Sequence, residues 1–141
     1  MDIRPITDRY SVSPQISVED VPAIAEAGYN KVICNRPNAE VPPSHQADAI
    51  EQAVRAAGMD FEVLELTHQT MTPDNVARQR EMAEACSGKV LAYCASGTRC
   101  SVVWALGQCK DLAPDEILSK TSAAGYQLDG LRPTLEQLRK G

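Results

Sequence analysis

Lys89-Val90-Leu91-Ala92-Tyr93-Cys94-Ala95-Ser96-Gly97-Thr98-Arg99 is the stretch that decides the fold. An apolar run of strand length ends in a short Gly-containing loop. Val102, Val103 and Leu106 then recur at helical spacing. Strand, loop and helix in that order aim successive backbone N–H groups at one spot, and the helix N-terminus adds positive potential there. A cysteine facing that spot has a lowered pKa and is nucleophilic at neutral pH. A cation at a helix start is repelled by the helix dipole, so Arg99 reads as a guanidinium waiting to fork onto an anion. Cys94 and Arg99 are thus the catalytic candidates, and Ala95, Ser96, Gly97 and Thr98 the anion-binding loop. The hydroxyls of Ser96 and Thr98 fit loop formation as well as contact with thiolate or substrate.

Working outward, apolar segments alternate with helical ones. Tyr10 to Ser13 reads as a short first strand. Ser17 opens a helix, with Asp20 as a weak capping-box partner, and Gly28 ends it. Tyr29 to Cys34 is the second strand, and Asn35 to Pro43 a loop. Ser44 begins a helix with Ala47, Ile50, Val54 and Ala57 on one face, closed by Gly58. Phe61 to Leu66 is the third strand. Thr72-Pro73-Asp74 starts a helix that runs to about Ala85. Lys89 to Tyr93 is the fourth strand, followed by a helix to about Lys110, another from Pro114 to Gly125 and a last one over Leu131 to Leu138. This alternation predicts right-handed crossovers and an α/β fold with a mainly parallel four-stranded sheet flanked by helices. No repeat or linker interrupts residues 1–141, so one domain is expected. Ligands of such sheets sit at the carboxyl ends of the strands. That edge gathers Asn35-Arg36, Thr67-His68-Gln69 and the Cys94 loop.

A net charge of −5 argues against nucleic acid or an anionic membrane as partner. No stretch is long enough to span a bilayer, and the first residues lack a signal-peptide core. The five cysteines are Cys34, Cys86, Cys94, Cys100 and Cys109, an odd and sparse set that predicts free thiols and a reducing cytoplasm rather than a disulfide framework. They form no CxxC pair, and only His45 and His68 are there to assist, so neither a structural zinc site nor any other cofactor is expected. Cys34, Cys86 and Cys109 read as core residues. Cys100 has two open readings: a core residue beside Val103, which its spacing favours, or a thiol that resolves an oxidised Cys94. Arg36 reads as a second basic wall of the pocket or a loop ion pair. His68 reads as an acid–base group or a pocket lining, and both belong to the substrate-binding candidates. Trp104 reads as packing, and Arg78, Arg80, Glu81 and Glu84 as a solvated helix face.

Tyr93-Cys94-Ala95-Ser96-Gly97-Thr98-Arg99-Cys100-Ser101-Val102-Val103-Trp104 resembles the family once called domain of unknown function 442, the phosphatase-like domain of beta-lactamase-hydrolase-like proteins, which is often labelled a sulfurtransferase family. Ser11 to Ile16, Ile33 to Pro37, Asp115 to Ile117 and Ala123 to Gly125 also match it, so the likeness covers nearly the whole chain. The resemblance implies a fold like the dual-specificity protein tyrosine phosphatases, Cys94 as nucleophile and Arg99 as the anion-binding arginine. The family commonly carries Arg after the nucleophile, where this chain has Ala95 and so one positive charge fewer.

Two chemistries compete on that fold. Tyrosine phosphatases place five residues between Cys and Arg, and this chain places four, as rhodanese-type loops do. Phosphatases usually have His before the cysteine and Ser or Thr after the arginine; here stand Tyr93 and Cys100. They also need a general acid, and Glu65, His68 and Asp74 are the candidates. These features favour sulfur transfer. Cys94 would take sulfur from thiosulfate or a persulfide, hold it as Cys94 persulfide and pass it to a thiol acceptor. The alternative is a phosphomonoester hydrolase working through a Cys94 phosphocysteine, with His68 or Glu65 as acid. A third reading is a non-catalytic anion-binding or redox-sensing module. The sequence names no oligomeric state.

Overall fold

Four strands lie parallel in the computed structural model, which describes residues 1–141, and a fifth lies antiparallel at the edge. In chain order they are β1 (Arg4–Pro5), β2 (Tyr10–Ser13), β3 (Tyr29–Cys34), β4 (Asp60–Val63) and β5 (Lys89–Tyr93). The sheet order is β1-β2-β5-β3-β4. The expected four-stranded sheet is thus corrected to five strands. β1 escapes detection because it is two residues long and one of them is Pro5, a residue that sheets accept at an edge. It pairs Arg4 with Val12 and Pro5 with Ser11.

The helices are α1 (Val21–Glu26), α2 (Ala47–Ala56), α3 (Pro73–Ala85), α4 (Thr98–Gly107), α5 (Pro114–Ala123) and α6 (Arg132–Lys140). Residues of α1 and α2 pack with Val32, Cys34, Leu91 and Tyr93 on one face of the sheet. Residues of α4, α5 and α6 pack with Val12, Ile33, Val90 and Ala92 on the other. Alternation along β5 therefore sends Tyr93 and Cys94 to opposite cores. In α2, Ile50 and Val54 are both fully buried, each worth about 2–3 kcal/mol of transfer free energy.

Element boundaries shift where tertiary partners intervene. The helix expected from Ser44 begins at Ala47 after a 3₁₀ turn over Pro43–His45, because the distant Asn38 side chain accepts the Ala47 N–H at 2.8 Å. The third predicted strand loses its regular ladder after Val63. Its chain stays alongside, with the Leu64 and Leu66 N–H groups donating to the Cys34 and Asn35 carbonyls, both at 2.9 Å. The start of α3 follows the sequence reading: Thr72 Oγ1 accepts the Asn75 N–H at 3.2 Å, and Pro73 opens the first turn. No helix is long and apolar enough to cross a membrane.

Candidate active site

The loop between β5 and α4 is shaped by one glycine. Gly97 has φ +92°, in the left-handed region, and serves as the N-cap of α4. A Cβ added there would lie 2.1 Å from Tyr126 Oη. Backbone conformation and space both demand glycine at this position. Tyr126, from the turn after α5, donates its hydroxyl to the Ser96 carbonyl at 2.9 Å, and Ser101 Oγ donates to the Gly97 carbonyl at 2.8 Å. So braced, the loop turns the Gly97 N–H onto Cys94 Sγ at 3.1 Å. Ser96 and Thr98 hydroxyls bond each other at 3.0 Å, a loop-forming contact.

Cys94 is fully buried, which by itself raises a thiol pKa. Hydrogen bonding overcomes it and brings the pKa from 9.0 down to about 5. The largest contribution is a hydrogen bond from the Cys100 thiol, followed by backbone N–H groups of Cys100, Gly97 and Ser96. Cys100 is itself fully buried and holds its proton far above the usual range, so it is the donor in this pair. At neutral pH Cys94 is a thiolate at a helix N-terminus. Cys100 is thus the core residue that its spacing favours, in the same cluster as Cys94.

Arg99 is almost as deeply set, with 8% exposure. Its Nη1 donates to Glu40 Oε2 at 2.9 Å and to the Leu66 carbonyl at 2.8 Å, and its Nη2 donates to Glu40 Oε1 at 2.8 Å. A guanidinium has five N–H donors. Three are engaged, and the Nε–H with the second Nη2 hydrogen remains as a fork for one more oxyanion. Glu40 sits on a 3₁₀ turn over Asn38–Glu40, and the Glu65 carboxylate accepts the Asn38 N–H at 3.0 Å. The guanidinium of Arg99, more than that of Arg36, holds the Glu40 carboxyl below the usual range.

Outside the thiolate lies a cleft of about 400 Å³ lined by Glu40, Thr67, His68, Gln69, Ala95, Ser96, Thr98 and Arg99. The predicted edge thus brings the Cys94 loop and His68 together. Arg36 stands behind Glu40 instead, with Nε 3.3 Å from Glu40 Oε1 and Nη1 3.3 Å from Gln15 Oε1. Of the acid candidates, Glu65 is engaged with Asn38 and Asp74 lies in the first turn of α3; His68 alone lines the cleft. Glu40 and Tyr126 escaped the sequence reading. One is a charge in a Pro-rich loop and the other follows a helix stop, and neither context carries a periodic or motif signal. No three His, Cys, Asp or Glu side chains converge as metal ligands.

A family model described as beta-lactamase hydrolase-like protein, phosphatase-like domain, matches residues 2–111. The beta-lactamase hydrolase-like protein of Agrobacterium fabrum is 33% identical over 107 residues, covering 75% of this chain and 25% of that protein. The chain thus spans about a quarter of that curated relative's length. Among solved structures, a candidate phosphatase of Neisseria meningitidis Z2491 superposes with a TM-score of 0.86 at 32% identity, covering 99% of both chains. PTPMT1 superposes at 0.76 with 14% identity, covering 98% of this chain and 94% of that one, and shares the fold.

These findings correct the sulfur-transfer expectation: the family description and the 32%-identical relative are both phosphatase-like. The structure shows why Tyr93, the loop length and Cys100 do not discriminate. Tyr93 packs on the face of the sheet opposite Cys94, so it carries no information about the nucleophile's chemistry. The four-residue loop still places an N–H on the sulfur and leaves Arg99 a free fork. The Cys100 thiol, buried in the same core, favours the Cys94 thiolate.

Proposed function

The chain belongs to the phosphatase-like domain family of the beta-lactamase hydrolase-like proteins, and from that premise we propose that it is a cysteine-dependent phosphomonoester hydrolase. The observation that carries this reading is the pairing of a buried thiolate with a half-used guanidinium. Cys94 is ionised at neutral pH, and Arg99 keeps one fork open at the same helix N-terminus. A phosphoryl group seated on that fork and the loop N–H groups has its equatorial oxygens stabilised as charge shifts during transfer.

The thiolate attacks phosphorus, an S–P bond forms and the ester P–O bond breaks. The leaving alkoxide takes a proton from protonated His68, the titratable side chain of the cleft that is not tied to Arg99. Water then attacks the phosphocysteine, His68 accepts its proton, the S–P bond breaks, and phosphate leaves with Cys94 restored as thiolate. Since Cys94 is fully buried, the outer residues of the loop must part to let phosphorus reach sulfur.

Turnover of p-nitrophenyl phosphate tests this. Activity is expected in the wild type and absent in Cys94→Ser, with a gain of ~80 Da on Cys94 in acid-quenched samples. Replacing His68 by Asn is expected to slow formation of the phosphocysteine from an alkyl phosphate by about 10²-fold and to spare that first step for the aryl ester, whose leaving group needs little help. Turnover that survives Cys94→Ser would overturn the mechanism.

A further inference from the structure

Helix α3 is docked in an unusual way. Among its thirteen residues, Pro73–Ala85, the one that is buried is Gln79, at 2% exposure. Burying an amide is costly unless its hydrogen bonds are made. Those of Gln79 are: Oε1 accepts from Asn35 Nδ2 at 2.8 Å, while Nε2 donates to Asn35 Oδ1 at 2.9 Å and to Tyr10 Oη at 3.1 Å. An apolar side chain would seat the helix without that demand, so the amide serves something besides packing.

Both arms of this network end in the candidate site. On one arm, Tyr10 Oη donates to the Cys100 carbonyl at 3.0 Å, in the first turn of α4 and next to Arg99. On the other, Asn35 Nδ2 spends its second hydrogen on the Leu64 carbonyl at 2.9 Å. The Asn35 carbonyl accepts the Leu66 N–H at 2.9 Å, and the Leu66 carbonyl anchors Arg99 Nη1 at 2.8 Å. Asn35, like Gln79, is buried, and each amide uses both its hydrogens. The network has no spare donor to absorb a shift. A movement at Gln79 therefore reaches the arginine's anchor along one arm and the turn that carries Cys100, the thiolate's partner, along the other.

We propose that Gln79 is a positioning residue that holds the Arg99 guanidinium and the Cys94 loop in mutual register, through Asn35 and Tyr10 respectively. The proposal rests on Arg99 and Cys94 being the working groups of the site, as in the hydrolase reading above.

Its test uses two readouts that need no turnover: calorimetric affinity for inorganic phosphate, and the Cys94 thiolate titration by absorbance near 240 nm. Gln79→Leu and the longer, more adaptable Gln79→Met are compared with Lys31→Met. Lys31 is buried and holds the same helix elsewhere, with Nζ donating to the Met82 carbonyl at 2.8 Å, away from the cleft. All three variants are expected to melt earlier. Only the Gln79 variants are expected to bind phosphate about tenfold more weakly and to titrate the thiol higher. Tyr10→Phe cuts one arm, and it is expected to move the thiol titration while leaving phosphate affinity within about twofold of the wild type. Wild-type affinity and titration in folded Gln79→Met would overturn the proposal, and so would equal shifts in Lys31→Met. A wild type that binds phosphate without hydrolysing esters would refute the hydrolase reading and leave this test intact.

Discussion

Replacing Cys94 by Ser removes one titrating group, and the structure says how the pH dependence of stability must change. The folded thiol ionises near 5 instead of 9.0 because Cys100 and three backbone N–H groups favour the thiolate over the opposing effect of burial. The unfolded thiol keeps its proton to near the ordinary value. Between those limits the unfolded state binds more protons, so stability rises with pH across the window. The contribution is complete above about pH 9, and it is lost as pH falls through about 5. The full displacement corresponds to about 5 kcal/mol. Between about pH 5.5 and about pH 8 the wild type gains about 3 kcal/mol that Cys94→Ser does not. Urea unfolding of both proteins at the two pH values measures this, and subtracting one series from the other cancels the remaining titrating groups. The lowered Glu40 carboxyl does not interfere, since its effect falls below this window. Stability differences that run parallel across the range would refute the claim that hydrogen bonds, rather than burial, control the thiol.

Changing Glu40 to Gln removes the carboxylate that neutralises Arg99 and leaves an oxygen to hold the guanidinium; inorganic phosphate, measured as a competitive inhibitor, is expected to bind a few-fold to about tenfold more tightly. Weaker binding would show that Glu40 holds Arg99 in place more than it opposes the anion. Gly97→Ala is expected to cost at least about 1–2 kcal/mol in thermal or urea melts, and to raise the thiol titration, because the φ of +92° and the Tyr126 hydroxyl both reject a Cβ. Restoring room with Tyr126→Phe in the same chain is expected to recover part of the loss. Tyr126→Phe alone leaves the Ser96 carbonyl without its hydroxyl donor and should cost about 1 kcal/mol.

The parallel order of the sheet and the placing of Cys94 at its carboxyl edge are legible along the chain, because each depends on local periodicity. The helix starts at Thr72 and Pro114 and the stops at Gly28, Gly58 and Gly125 follow the same logic. Glu40 is not legible, because its meaning comes from a partner fifty-nine positions away. Gln79 is harder still: α3 carries charges along most of its length, and nothing local separates the one buried amide from its solvated neighbours. Sulfur and phosphoryl chemistry are hard to tell apart along the chain for a related reason. Tyr93 is a neighbour of Cys94 in sequence, yet strand alternation puts the two on opposite faces of the sheet.

From the order of residues alone came a strand, a tight loop and a helix that lower the Cys94 pKa and set an arginine in the first helical turn after it. Those properties arise within a dozen residues, from backbone N–H groups and a helix N-terminus together with the Cys100 thiol. Tertiary packing supplied the rest. It chose which edge of Arg99 stays open, sealed Cys94 and Cys100 in one core, and tied both to a glutamine that is the one fully buried side chain of its helix. Hydrogen bonds between buried polar groups form only where distant segments meet, and no local pattern records where that will be.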